Sequence, residues 1–210
     1  MRFQGSMRDI AVPNGNENDF IAEARALGYS GIIFLYQPKE FEEKSRLISE
    51  IANLYQGFSV SAGLLIDSTK AKSLVSYRQL MRKAGFVAAR GFSSQLFEEK
   101  GINLIFGLEE QKKDFSTFRN SGLNQVLCSL ARKNHIAVGI SFSEIADAGS
   151  RQTEIIARAI QNIMLCQKYG VALYAASFAK SPEMMRNPMD IKSLMLAIGM
   201  GQQNATHLFL

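Results

Sequence analysis

Three short stretches decide the fold class: GIIFL (31–35), INLIF (102–106) and VALYAAS (171–177). Each is apolar at nearly every position, whereas a strand with one face in water alternates apolar and polar residues. Strands of a parallel sheet that is covered on both faces have this character. We therefore predict seven strands, at residues 8–12, 31–35, 58–66, 86–90, 102–106, 136–142 and 171–178.

Helical patterns separate these strands. We predict helices at residues 16–27, 39–55, 69–84, 122–134, 152–169 and 191–198, with a shorter one at 93–100. Regular alternation of strand and helix indicates a parallel sheet joined by right-handed crossovers, and seven or eight such units favour a closed barrel over an open sheet. A complete (β/α)₈ barrel takes about 250 residues. The 210 residues therefore predict a compact, irregular TIM-like (β/α) barrel, most irregular between residues 86 and 102.

Composition supports one folded unit. Hydrophobic residues make up 47% of the chain, which excludes disorder as the main state, and no composition break or flexible linker divides it, so we predict a single domain over residues 1–210. No apolar run approaches the roughly 20 residues that span a bilayer. We expect no membrane contact and a soluble, cytoplasmic protein. Cys128 and Cys166 lie among apolar, helix-forming residues and are predicted to be buried and unpaired.

The sequence offers little for catalysis. Neither of the two histidines lies at the carboxyl end of a predicted strand, and no HxH, HExxH or Cys/His cluster appears. We predict no catalytic residue, no metal ligand and no cofactor on this chain. One alternative stays open, in which Asp9 and Asp67 act as catalytic carboxylates. We favour a helix cap for Asp67, and for Asp9 an ion pair with Arg8, Arg90 or another barrel cation.

Positive charge is unevenly distributed. The chain has 24 Lys and Arg against 19 Asp and Glu, and residues 68–97 contain cations but no acid. Such a surface binds phosphates, although an ordinary solvated helix face has the same pattern. Other cations end a helix, share a helix face seven residues apart, or follow the last strand. The resulting phosphate-binding candidates are Arg90, Arg132, Lys133, Arg151, Arg158, Lys180 and Arg186.

Several motifs carry a family resemblance. They are GLNQVLC (122–128), ARKN (131–134), NIMLCQKYGV (162–171), ASFA (176–179), MRNPMDI (185–191) and IGM (198–200), with MRDIAVP (7–13) near the start. In these motifs the chain resembles archaeal ribonuclease P protein component 3, the homologue of a eukaryotic nuclear ribonuclease P subunit. Two positions depart from the family's pattern: Met7, where an aromatic residue is expected, and Phe178, where many relatives have a glycine.

The resemblance implies an irregular βα barrel and an RNA-linked role. It implies a non-catalytic subunit of the ribonucleoprotein that removes the 5′ leader of precursor tRNA, with the catalytic Mg²⁺ ions held by the RNA component. Of the matching positions, the cations suit RNA backbone contacts. The apolar ones are best read as packing, and they are Leu123, Val126, Leu127, Cys128, Ile163, Leu165 and Cys166.

The same resemblance implies partners for the chain. These are ribonuclease P RNA, another protein subunit such as protein component 2, and, indirectly, precursor tRNA. Met184, Met185 and Met189 are predicted to form a protein interface, because Met adapts to irregular contacts. Two other functions remain: a free-standing barrel hydrolase using Asp9 or Asp67, and a scaffold that binds only proteins.

Overall fold

Seven parallel strands form the centre of the molecule. The computed structural model describes residues 7–110, 114, 119–206 and 208–210. Each strand pairs with its neighbours in sequence, in the order β1 to β7. The strands are β1 (Arg8–Ala11), β2 (Gly31–Tyr36), β3 (Ser59–Asp67), β4 (Val87–Arg90), β5 (Leu104–Phe106), β6 (Ala137–Ser141) and β7 (Leu173–Ala176). The predicted TIM-like barrel of parallel strands is confirmed.

The C-terminal segment narrows the gap between the first and last strands. The Arg8 amide donates to the Leu210 carbonyl at 3.0 Å, and the Ala175 amide donates to the Leu208 carbonyl at 3.0 Å. Residues 208–210 therefore lie between β1 and β7, where a complete barrel has its eighth strand. Replacing that strand by a short segment is how 210 residues form a nearly closed barrel.

Helices surround the strands. They are α1 (Glu17–Ala26), α2 (Phe41–Leu54), α3 (Leu74–Lys83), α4 (Ser94–Glu98), α5 (Gln125–Lys133), α6 (Phe142–Ala146), α7 (Gln152–Tyr169), α8 (Pro188–Ala197) and α9 (Gln202–Thr206). The sequence did not predict α6 and α9, each of which has five residues. Within the described ranges, no helix is both long and apolar enough to cross a bilayer.

Two predicted helices begin later than expected. The pattern at residues 69–84 starts as a 3₁₀ segment, Ser68–Ser73, and becomes α-helical only at Leu74. The pattern at residues 122–134 becomes helical at Gln125, because the Asn124 side chain accepts from the Leu127 amide and caps the helix there.

Alternate residues of each strand enter two apolar layers. In β2, Ile33 and Leu35 pack inside the barrel, whereas Ile32 and Phe34 pack against the helices. This two-sided burial is the physical reason for the continuous apolar stretches in the sequence. The predicted irregularity between residues 86 and 102 is present, since the crossover there contains only the five-residue helix α4.

Candidate functional site

A cavity of about 560 Å³ opens at the carboxyl ends of the strands. Barrel proteins place their functional groups at this end, on the loops that follow the strands. Three of the predicted phosphate ligands, Arg90, Arg151 and Lys180, line the cavity. Lys39 and Lys70 join them from the loops after β2 and β3. The structure thus brings together cations that are distant in sequence.

Arg90 is the centre of a charged cluster in this cavity. Its guanidinium donates to Glu110 Oε1 at 2.9 Å and to Glu144 Oε1 at 3.2 Å. Burial, together with the negative charges of Glu110 and Glu109, raises the pKa of Glu144 to about 8, against the opposing effect of Arg90. Glu144 therefore takes up a proton more readily than an exposed glutamate does, and its protonation weakens the ion pair with Arg90.

Asp67 is a helix cap, as predicted. Its Oδ1 accepts from the Thr69 amide at 2.9 Å and from the Thr69 hydroxyl at 2.6 Å. It also lines the cavity. Because the backbone amide and the side-chain hydroxyl of Thr69 both hold Oδ1 at the start of the 3₁₀ turn, the geometry explains this aspartate without a catalytic role.

The predicted ion pair of Asp9 is wrong. Asp9 is fully buried and accepts from the Ser177 amide at 2.7 Å and the Ser177 hydroxyl at 2.5 Å. Burial raises the pKa of Asp9 to about 6, although the hydrogen bonds from Ser177 oppose this. Since Ser177 follows β7 and Asp9 belongs to β1, these bonds join the first and last strands of the barrel.

The structure also corrects the prediction for Arg158. Its side chain is 0% exposed and donates to Asp114 Oδ1 at 2.8 Å and to the Glu109 carbonyl at 3.1 Å. It forms a further ion pair with Glu154, one helical turn away. Arg158 therefore joins α7 to the segment after β5 from inside the protein. A cation in this position is structural and does not face an RNA backbone.

A second buried side chain of α7 extends this network. The Asn162 amide donates to Glu109 Oε1 at 2.9 Å and to the Ser121 carbonyl at 2.8 Å. Burial raises the pKa of Glu109 to about 7, against the hydrogen bond from Asn162. These bonds hold the segment Leu108–Glu110 against α7, although Ser121 Oγ and Asn162 Oδ1 find no partner among the described residues.

The remaining predicted cations are exposed but do not form one group. Arg132 and Lys133 end α5, and because helices run antiparallel to the strands, they lie at the opposite end of the barrel from the cavity. Arg186 follows β7 and donates to the Glu183 and Met185 carbonyls at 2.8 and 2.7 Å. The predicted cations thus divide between the two ends of the barrel.

The predicted methionine interface is only partly at the surface. Met189 is 47% exposed, and Met184 is half-buried and lines the cavity. Met185 is 2% exposed and belongs to the core, so it is corrected from an interface residue to a packing residue. The prediction for Val126 is also wrong: Val126 was predicted to pack in the core, but it is 66% exposed. Cys128 and Cys166 are buried free thiols, as predicted.

Sequence reasoning missed Glu144 and Ser143. Both line the cavity, and both belong to α6, which follows β6 directly. The predicted strand at residues 136–142 ran over the start of this helix. A signal was present, because the Ser141 side chain accepts from the Glu144 amide, the bond that a Ser three residues before a Glu makes at a helix start.

The fold and the cavity define a class of protein. The chain is a parallel (β/α) barrel whose carboxyl-end cavity holds an arginine–carboxylate cluster inside a rim of cations. Across the part of the chain that the structure describes, no group of three or more His, Cys, Asp or Glu is arranged to hold a metal ion.

The chain belongs to the RNase P subunit p30 family, whose model matches residues 7–210. It is therefore a protein subunit of ribonuclease P. The chain is similar to ribonuclease P protein component 3 of Methanosarcina acetivorans, with 26% identity over 203 residues, 93% of this chain and 80% of that protein. Component 3 of Methanothermobacter thermautotrophicus is 24% identical over 193 residues, 88% of this chain and 76% of that protein.

Solved structures share the fold. A chain of archaeal ribonuclease P with mature tRNA has a TM-score of 0.77 at 18% identity, over 94% of this chain and 85% of that one. A prolidase complexed with N-methylphosphonate-L-proline has a TM-score of 0.59 at 8% identity, over 97% of this chain and 72% of that one. At these identities the likeness concerns the barrel architecture alone.

Proposed function

We propose that this subunit is non-catalytic and assists the RNA component of ribonuclease P in removing the 5′ leader of precursor tRNA. The observation that carries the proposal is the convergence of Arg90, Arg151 and Lys180 from separate loops onto one edge of the barrel. In this proposal the protein holds no cofactor, and the RNA component holds the catalytic Mg²⁺ ions. The chain contacts precursor tRNA only indirectly.

The proposed RNA contacts are electrostatic. Lys180 at the cavity and Arg132 and Lys133 at the other end of the barrel are exposed, so they reach phosphates without rearrangement. Arg90 is held by two carboxylates, which orient its guanidinium and partly neutralise its charge. We therefore expect a smaller contribution from Arg90 than from the exposed cations. Backbone neutralisation confers affinity with little sequence preference.

We further propose a protein partner at α8. Met189 and Leu196 are both exposed apolar residues, 47% and 37%, and lie seven residues apart on the same face of this helix. Apolar side chains on one helix face suit a partner surface. An archaeal ribonuclease P with mature tRNA contains a chain of this fold. We propose that ribonuclease P protein component 2 is the subunit that covers this face.

The test is reconstitution of the holoenzyme from RNA and protein subunits, with cleavage of precursor tRNA measured over a range of salt. Lys180→Ala, Arg132→Ala and Lys133→Ala should each weaken RNA affinity. Each should also lower the slope of log affinity against log salt concentration by about one unit, because one phosphate contact is lost. Lys100→Ala is the matched control, since Lys100 is an exposed lysine outside the proposed contacts. Its affinity and salt dependence should match those of the unsubstituted protein.

Two results would overturn the proposal in different directions. If the cation variants retain full RNA affinity while Met189→Asp abolishes assembly, the chain is a scaffold that binds only proteins. If nuclease-free protein cleaves precursor tRNA without RNA and Asp67→Asn removes that activity, the chain is a barrel hydrolase.

A further inference from the structure

The cavity at the carboxyl ends of the strands has the size of a ligand site. At about 560 Å³ it falls within the range of roughly 300 to 1,000 Å³ that small-molecule pockets occupy. Its lining contains three kinds of surface: a cationic rim, an apolar floor and two polar atoms without partners. The proposed contacts with RNA phosphates at the barrel surface do not require a cavity of this depth.

Two buried oxygens in the cavity lack hydrogen-bond partners within the described part of the chain. They are Ser143 Oγ and Glu144 Oε2. Ser143 is 5% exposed, and both residues line the cavity. A buried polar atom without a partner costs about 1 to 3 kcal/mol, so such atoms are normally satisfied. Of the four buried side-chain atoms without a partner on the described chain, only these two belong to residues that line the cavity, where a ligand can supply their hydrogen bonds.

Two lysines of the rim have no ion-pair partner on the described chain, and a third lies near Asp67. Lys39 follows β2 and Lys180 follows β7, and neither has a hydrogen bond or ion pair with another described residue. Lys70 lies on the 3₁₀ segment after β3, close to Asp67. Lysine is a point-charge ligand for phosphate. Three lysines from three loops thus surround the opening of the cavity.

The floor contains an aromatic pair in a strained setting. The rings of Phe178 and Phe106 stack with their centroids 4.0 Å apart and their planes 15° apart. Phe178 has a φ of +48°, in the left-handed region that non-glycine residues rarely adopt. Residues held in such conformations cost about 1 to 3 kcal/mol and cluster at functional sites. The Phe178 and Phe106 rings line the cavity with only 4% and 2% of their surfaces exposed, so they present a small apolar area to a ligand.

We propose that this cavity binds a single nucleotide. The phosphate lies among Lys39, Lys70 and Lys180, and the base packs on the aromatic pair. The polar edge of the base pairs with Ser143 Oγ and Glu144 Oε2. A sugar phosphate would leave the aromatic floor uncovered, and inorganic phosphate would leave both buried oxygens unpaired. The same chemistry occurs in a free mononucleotide and in an unpaired nucleotide of RNA.

The test is a titration of the intact, isotope-labelled protein, followed by the amide resonances in NMR. The probes are AMP, adenosine and inorganic phosphate. AMP should shift amides at residues 143–148 and 177–180 and bind at least tenfold more tightly than phosphate. Lys39→Ala and Lys180→Ala should each weaken the binding of AMP about fivefold and leave the binding of adenosine unchanged. Ser143→Ala should weaken the binding of AMP and of adenosine, each about fivefold, since a hydrogen bond contributes about 1 kcal/mol.

A matched control separates the site from general charge effects. Lys168 ends α7 at the opposite end of the barrel, so Lys168→Ala should leave AMP affinity unchanged. The inference fails if AMP binds no more tightly than phosphate, if its shifts lie elsewhere, or if the lysine variants bind AMP normally. The lysine variants alter exposed side chains, so their folding is not at issue.

A competition experiment distinguishes the two sources of the nucleotide. The competitor is a single-stranded RNA trinucleotide that lacks terminal phosphates. If it displaces AMP, the cavity accepts a nucleotide of RNA; if it does not while AMP binds as expected, the ligand is a free mononucleotide. Because this test uses the isolated protein, its failure would leave the result of the holoenzyme reconstitution unaffected.

Discussion

Arg158→Ala separates a structural role of this arginine from a role in RNA binding. The guanidinium is fully buried, contacts Asp114 and Glu154, and donates to the Glu109 carbonyl. Removing one partner of a buried ion pair costs about 3 to 5 kcal/mol. The carboxylates of Asp114 and Glu154 remain about one-third exposed, 34% and 33%, and regain water in the variant. We therefore expect a loss near the lower limit, about 3 kcal/mol.

The assay is urea unfolding of the isolated protein, together with thermal unfolding. A chain of this length shifts its Tm by about 2 to 4 °C for each kcal/mol, so the expected decrease is about 6 to 12 °C. Arg82→Ala is the matched control, because Arg82 is an exposed arginine of α3. Its free energy of unfolding should change by no more than about 0.5 kcal/mol.

RNA binding of the same variant completes the experiment. With the variant kept folded at low temperature, its salt dependence of RNA affinity should equal that of the unsubstituted protein, because a buried cation neutralises no phosphate. The reasoning is refuted if Arg158→Ala keeps its stability within about 0.5 kcal/mol while the salt dependence falls by about one unit. Arg158 would then be a phosphate ligand, as the sequence alone suggested.

Three further outcomes are expected. Burial raises the pKa of Glu109 from 4.5 to about 7, so the folded state binds this proton more tightly than the unfolded state and loses stability as pH rises from about 4.5 to 7. Between pH 5 and pH 8, the free energy of unfolding in urea should decrease by about 2 kcal/mol less in Glu109→Gln than in the unsubstituted protein. Equal decreases would contradict the raised pKa of Glu109. Cys128 and Cys166 are 0% exposed and should react with a thiol reagent only in denaturant, so rapid reaction of the native protein would show that they are accessible. A Cβ at Gly31 would lie 2.5 Å from the Ser59 carbonyl oxygen. Gly31→Ala should therefore lower the free energy of unfolding in urea by about 1 to 3 kcal/mol. Unchanged stability would mean that β2 and β3 separate easily.

The elements with a strong local pattern were predictable. Helix α7 occupies Gln152–Tyr169, the range that its pattern predicted, and it ends where Gly170 adopts a left-handed conformation with a φ of +66°. The start of α3 was not predictable in the same way, because the 3₁₀ turn at Ser68–Ser73 and an α-helix share similar spacing over six residues.

The candidate site was predictable only in part. Lys180 follows a predicted strand, so its place at the carboxyl end of the barrel followed from the alternation of strands and helices. Ser143 and Glu144 could not be found in this way, since their importance depends on burial without a hydrogen-bond partner. Burial depends on the elements that surround a residue, and these come from distant parts of the chain.

The sequence by itself determined a parallel sheet covered on both faces, because residues buried on both faces must be apolar whatever their partners are; it only favoured closure into a barrel, since an open sheet has the same pattern. It also determined which residues share a face of a helix, such as Arg158 and Asn162 on α7. Only the tertiary structure decided what covers that face: the segment Leu108–Glu110 packs on it and Arg158 binds Asp114, so that a face predicted to bind phosphates is internal. Helical periodicity is a local property of the chain, whereas the environment of a face depends on contacts between residues about 50 positions apart.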